Sequence, residues 1–107
     1  MKVIFHVVEF EKWTATLDNA RDILMHEPQT QIEIIAMSKA AGLFGTYSGQ
    51  SFEGLLGNPN VKFVIGEKGM KENNLTKDML PPGVEVEQSA VTRIARLQSE
   101  GYGYIRL

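Results

Sequence analysis

The sequence predicts a three-layer α/β/α sandwich built on a five-stranded, mostly parallel sheet. Three observations carry that expectation. Residues 2–8, 32–37 and 61–65 are short, nearly continuous apolar runs rich in β-branched and aromatic side chains, the pattern of strands covered on both faces. The first two runs enclose a helical pattern within residues 2–37, the extent of a βαβ unit whose crossover should be right-handed. Strand-like and helix-like segments then keep alternating to the end of the chain, an order that belongs to layered α/β proteins.

The first helix is read from Trp13, Leu17, Ala20 and Leu24 at helical spacing, with Lys12, Asp18, Asn19, Arg21 and Asp22 elsewhere on the wheel and Pro28 beyond its end. Trp13 and Leu17 are expected in the core. Residues 38–50 are rich in small side chains, including Gly42, Gly45 and Gly49, and predict a loop or a short helix. One or two helical turns are expected over residues 51–56, closed by Gly57-Asn58-Pro59-Asn60. After the third strand, Gly66-Glu67-Lys68-Gly69 reads as a turn leading into a short helix over residues 70–73. Residues 75–80 add a further turn, which Pro81-Pro82-Gly83 stops. Val84-Glu85-Val86-Glu87 alternates, as a less fully covered strand does. Ser89 can cap a last helix with Ala90, Val91, Ile94 and Leu97 on its apolar side and Arg93, Arg96 and Glu100 toward water. Gly101 ends that helix, and residues 102–107 form a terminal strand.

Composition narrows the function. The 107 residues include no cysteine, which removes disulfides, thiolate metal sites and thiol nucleophiles together. The length suits one domain over residues 1–107, and 43% apolar residues support a modest core that self-association would strengthen. A formal charge of −2 and a pI near 5.6 argue against general attraction to nucleic acid or an anionic membrane. The amino-terminal apolar run is short for a signal peptide and ends at Glu9, and no run is long enough to span a bilayer. A cytoplasmic location is expected.

In open parallel sheets, ligands bind beyond the carboxyl ends of the strands, where helix starts present free N–H groups. Three junctions qualify: Glu9-Phe10-Glu11, Ser38-Lys39-Ala40-Ala41-Gly42 and Gly66-Glu67-Lys68-Gly69-Met70. His6 is read first as a hydrogen-bonded core histidine and second as a general base. His6, Glu9 and His26 lack metal-site spacing, so no metal is expected, and Glu9 and Glu11 read as solvated strand-end charges. The glycine-rich segment over residues 42–51 lacks the lysine of a Walker-type phosphate loop. Glu9 and Glu11 would repel the phosphate of a flavin bound after the first strand, as in a flavodoxin-like site, so no cofactor is expected. Phe44, Tyr47 and Phe52 are more aromatic than a solvated loop requires, which points to a pocket wall or a subunit contact; the contact is favoured, with core packing a near-equal alternative.

Read together, Val61-Lys62-Phe63-Val64-Ile65-Gly66, Leu80-Pro81-Pro82-Gly83-Val84-Glu85-Val86 and Gln98-Ser99-Glu100-Gly101-Tyr102-Gly103-Tyr104-Ile105 resemble the DsrE/DsrF-like family of sulfur-relay proteins. Lys2-Val3-Ile4-Phe5-His6-Val7 is similar to that family's first strand, so the resemblance covers essentially the whole chain. It implies the same sandwich, flavodoxin-like in outline, and assembly into homo- or hetero-oligomers. In active members it also implies a persulfide-carrying cysteine just after the third strand. Gly66 takes that place here, so the catalytic role does not carry over.

The expectation is therefore a non-catalytic homo-oligomer that binds a small anionic or sulfur-containing ligand, or a partner protein, in a crevice at Gly66, Glu67, Lys68, Gly69 and Met70, with Ser38, Lys39 and His6 nearby. Two alternatives stand beside it. One is an enzyme that moves protons with Glu67, Lys68 or His6. The other is a subunit of a sulfur-relay complex whose cysteine comes from another chain.

Overall fold

The computed structural model describes residues 1–107. Five strands form its centre: β1 (Lys2–Val7), β2 (Gln31–Ala36), β3 (Val61–Gly66), β4 (Val84–Glu87) and β5 (Gly103–Ile105). They lie in the order β4-β3-β2-β1-β5, and all four pairings are parallel. The helices are α1 (Trp13–His26), α2 (Glu67–Glu72) and α3 (Ala90–Ser99). Short 3-10 segments lie at Phe10–Lys12, Ser38–Phe44, Thr46–Ser48 and Lys77–Met79.

Strand order decides which face each connection covers. From β1 to β4 the chain steps one way across the sheet, so right-handed crossovers stack α1, the Ser38–Phe44 segment and α2 on one face. The return from β4 to β5 runs the other way, which places α3 on the opposite face. Alternation along the strands serves both. Val3, Phe5, Ile32, Ile34, Phe63 and Ile65 join the larger core, whereas Ile4, Ile35 and Val64 pack with Ala90, Ile94 and Leu97 under α3.

Trp13, Phe44, Phe52 and Phe63 form one aromatic cluster, with the Phe52 and Phe63 centroids 4.9 Å apart at 86°. That edge-to-face geometry adds to what burial alone supplies. Phe44 is fully buried and Phe52 packs partly buried against the same core. The two residues read as a subunit contact are therefore core residues of this chain, and of that trio Tyr47 alone stands exposed. Trp13 and Leu17 are buried as expected. The Trp13 indole N–H also donates to the Ser51 carbonyl at 3.0 Å, which anchors the long loop before β3.

Three other expectations need correction. Residues 51–56 form turns, not a helix, with Glu53 at φ +52° and Gly54 at φ +82°. Those left-handed residues break any helical run. The helix after β3 begins at Glu67 with no intervening turn, because Gly66 is at once the last residue of β3 and the N-cap of α2. On α3, Arg93 is buried and Val91 is 62% exposed, the reverse of the sequence reading. Positions 90, 93, 94 and 97 are the i, i+3, i+4, i+7 stripe, so Arg93 faces the sheet and Val91 lies off it.

Arg93 tolerates burial because the sheet supplies its counter-charges. Its Nε donates to Glu33 at 2.8 Å, Nη2 to Glu85 at 3.0 Å and Nη1 to Glu87 at 3.1 Å. Burial alone would lower the guanidinium's pKa. The hydrogen bonds it donates to Glu33 and Glu85 outweigh burial and hold the group charged above its ordinary range.

Candidate functional site

The carboxyl ends of the strands converge on a cavity of about 340 Å³. It lies between the end of β2, the β3–α2 junction and the start of α3. Ala36, Met37 and Ser38 form one wall, Gly66, Lys68, Gly69 and Glu72 a second, and Gln88, Ser89, Ala90 and Val91 the third. A smaller recess of about 160 Å³ adjoins it, lined by Ser38, Lys39, Glu72 and Asn73. Ser38 and Glu72 border both.

Of the residues expected here, Gly66, Lys68, Gly69 and Ser38 line the cavity, and Lys39 lines the smaller recess. Glu67 is exposed and outside both linings, and Met70 is buried in the core under α2. His6 is half-buried and lies one residue away from the cavity, behind Met37. The β4–α3 junction, which the sequence reading left out, supplies four lining residues. That junction reaches the site because β4 is the neighbour of β3.

Both glycines at the third junction are needed for space, not for conformational freedom. Gly66 has φ −86° and ψ 156°, which any residue adopts. A Cβ on it would lie 2.9 Å from Ala90 Cβ and 3.1 Å from Ala90 N. A Cβ on Gly69 would meet Ala41 Cβ at 2.9 Å. Close approach of α3 to β3, and of α2 to the Ser38–Phe44 segment, therefore shapes the cavity walls.

Ser38 sits at φ +55°, a left-handed conformation uncommon outside glycine and asparagine. Its carbonyl accepts from Asn73 Nδ2 at 2.8 Å, and the same amide reaches the Gly69 carbonyl at 2.8 Å. Asn73 thus ties the second junction to the third, a role invisible in sequence because Ser38 lies 35 positions away.

At the opening of α3, the Ser89 hydroxyl accepts from the Thr92 N–H at 3.2 Å, the cap expected from the sequence. Ala90 and Val91 precede that capped amide, and their N–H groups have no partner within the helix. Lys68 and Glu72 stand one turn apart on α2, yet neither enters an ion pair or a side-chain hydrogen bond.

His6 belongs to a separate cluster at the β1–β5 seam. Its Nε2 lies 3.0 Å from Met37 Sδ and its Nδ1 2.6 Å from the Tyr104 hydroxyl. A thioether only accepts, so Nε2 carries the proton and Nδ1 accepts from Tyr104. Burial, and secondarily the charge of Arg106, lowers the pKa of His6 from 6.5. The unfolded chain therefore takes up a proton near pH 6.5 that the folded chain resists. Stability from this group is complete above pH 6.5 and declines as pH falls toward the lowered folded value. Thermal melts at pH 7.5 and 5.5 should show a drop that is smaller in His6→Gln, and equal drops in both proteins would contradict the assignment.

His6, Glu9 and His26 are not gathered. Glu9 lies 3.7 Å from Arg106, and His26 pairs with Asp22 on exposed helix surface. No group of three or more histidine or carboxylate side chains is placed to hold a metal ion. The proton-transfer trio is equally dispersed: Lys68 lines the cavity, whereas Glu67 and His6 do not. No helix is long and apolar enough to cross a membrane.

The same architecture occurs in two solved structures. MTH1491 from Methanobacterium thermoautotrophicum, a protein of unknown function, matches with a TM-score of 0.90 and 28% identity over 99% of this chain and 98% of that one. The ychN protein from E. coli, which has a DsrE/DsrF-like fold, matches with a TM-score of 0.81 over 100% of this chain and 99% of its own, at 15% identity. This chain shares that fold. No protein-family model matches it, and none of the curated proteins compared with it does. The three-layer sandwich expected from the sequence is thus the observed one, with every strand pairing parallel.

Proposed function

We propose that this chain is a non-catalytic relative of the DsrE/DsrF-like sulfur-relay proteins that binds a small anion in the cavity between α2 and α3. The observation that carries the reading is the 340 Å³ cavity itself, bordered by an unpaired lysine and by the open amides of a helix start. Its volume is at the low end of the roughly 300–1,000 Å³ usual for small-molecule sites. Lys39, Lys68 and Glu72 give the two recesses one net positive charge, which suits a monoanion. Lys68 supplies the mobile charge, and the Ala90 and Val91 amides supply directed donors. With no cysteine, the chain has no thiolate on which a persulfide could form.

The exposed Tyr47, Val91 and Tyr104 support self-association as a homo-oligomer, Val91 lying at the mouth of the cavity.

The test is a titration of the purified protein with phosphate, sulfite, thiosulfate and small carboxylates, followed through the backbone amide signals of Gly69, Ala90 and Val91. At least one anion should shift these signals selectively. Lys68→Ala should weaken that binding roughly tenfold or more, as loss of a charged hydrogen-bond partner does. Shifts spread evenly over the surface, or none, would leave the cavity without a ligand. Transfer of labelled sulfane sulfur by this polypeptide alone would overturn the non-catalytic part.

A further inference from the structure

We infer that Glu72 sets the ligand class of this cavity, selecting a carboxylate that carries a hydrogen-bond donor on the adjacent carbon and rejecting dianions. The inference rests on the anion-binding reading above and deepens it. Lys68 and Glu72 sit four residues apart on the same face of α2 and both border the cavity. That spacing brings side chains into reach of each other. They nonetheless stay unpaired, and Lys39, across the smaller recess from Glu72, stays unpaired as well.

An anion held by Lys68 therefore lies beside a second, negative group whose lone pairs are free. Two consequences follow. An ionised carboxylate only accepts hydrogen bonds, so the ligand atom facing it must be a donor. A ligand with a second negative charge meets Coulomb repulsion there. Between unit charges about 4 Å apart, the interaction is worth about fivefold in affinity in bulk water and more in a partly enclosed site. Met37 on one of the other walls and Ala90 and Val91 on the third are apolar and offer a ligand's hydrocarbon part a surface. An α-hydroxy or α-amino carboxylate with a short aliphatic side chain satisfies all three walls. Its carboxylate meets Lys68, its hydroxyl or ammonium meets Glu72, and its side chain meets Met37 and Val91.

Calorimetry with four probes tests this: 2-hydroxy-4-methylpentanoate, leucine, 4-methylpentanoate and sulfate. The first two should bind at least fivefold more tightly than 4-methylpentanoate, which lacks the donor, and sulfate should bind weakest. Glu72→Gln keeps the shape, removes the charge and lies on exposed surface, so it should fold normally. In that variant sulfate affinity should rise roughly five- to tenfold. Equal binding of 4-methylpentanoate and its hydroxy acid, or an unchanged sulfate affinity in Glu72→Gln, would overturn the role of Glu72 while leaving the cavity an anion site. If no anion binds the wild-type protein and none perturbs Ala90 or Val91, the anion-site reading itself fails.

Discussion

Replacing Arg93 by alanine is expected to cost roughly 3–5 kcal/mol of stability, because it strands Glu33 under α3 without a counter-charge. Glu33 is 4% exposed and Arg93 7% exposed, and their Nε–Oε1 contact of 2.8 Å is the innermost bond of the network. Glu85 and Glu87 reach toward solvent and can rehydrate when Arg93 is lost. Glu33 has no such recourse from the centre of β2. Lysine at position 93 should recover only part of the loss, since one ammonium cannot span three carboxylates as the guanidinium fork does. The paired change Glu33→Leu with Arg93→Met should recover most of it by leaving no buried charge. Urea denaturation of the four proteins measures these differences. A loss under about 1 kcal/mol in Arg93→Ala would class the pair with exposed ion pairs and refute its burial.

Arg93 also marks where the sequence was legible and where it was not. The three central strands were readable because burial on both faces leaves little room for polar residues, and residues 32–36 and 61–65 hold only Glu33 and Lys62. Glu33 stands inside the first of these runs, and Arg93 stands on the i+3 position of a helix stripe whose other members are apolar. Each is anomalous alone. Together they describe a buried pair, but only strand order reveals that α3 crosses the face of β2 to which Glu33 points.

The same missing information hid a third of the cavity. The β2 and β3 junctions were identifiable as strand ends followed by small residues. Gln88 to Val91 became part of the site only because β4 lies beside β3. His6 sits next to the end of β1 and close to the crevice, yet both its ring nitrogens are engaged, one by Met37 and the other by Tyr104 on β5, 98 positions away. Parallel sheets bring together residues far apart in the chain, so local pattern yields elements and leaves their assembly open.

Position 66 is where this geometry bears most directly on function. Gly66→Ala is expected to destabilise the protein by about 1–3 kcal/mol, the usual cost of forcing a group into a filled interior. The added methyl meets both Cβ and N of Ala90, so the first turn of α3 must withdraw from β3 to admit it. Because Ala90 and Val91 form one wall of the cavity, this movement should also disturb the proposed anion binding. Ala90→Gly removes the nearer obstacle at 2.9 Å and leaves the amide at 3.1 Å, so it should relieve part of the damage and not all. Thermal or urea melts of both single variants and the double variant would give a positive coupling of about 0.5–3 kcal/mol between the two positions. Strict additivity would mean that the cost at position 66 does not arise from contact with the Ala90 side chain. A cysteine at this position meets the same obstacle with a larger side chain. A thiol at the end of β3 would thus require α3 to move first, so a cysteine at position 66 and the present seating of α3 against Gly66 exclude each other.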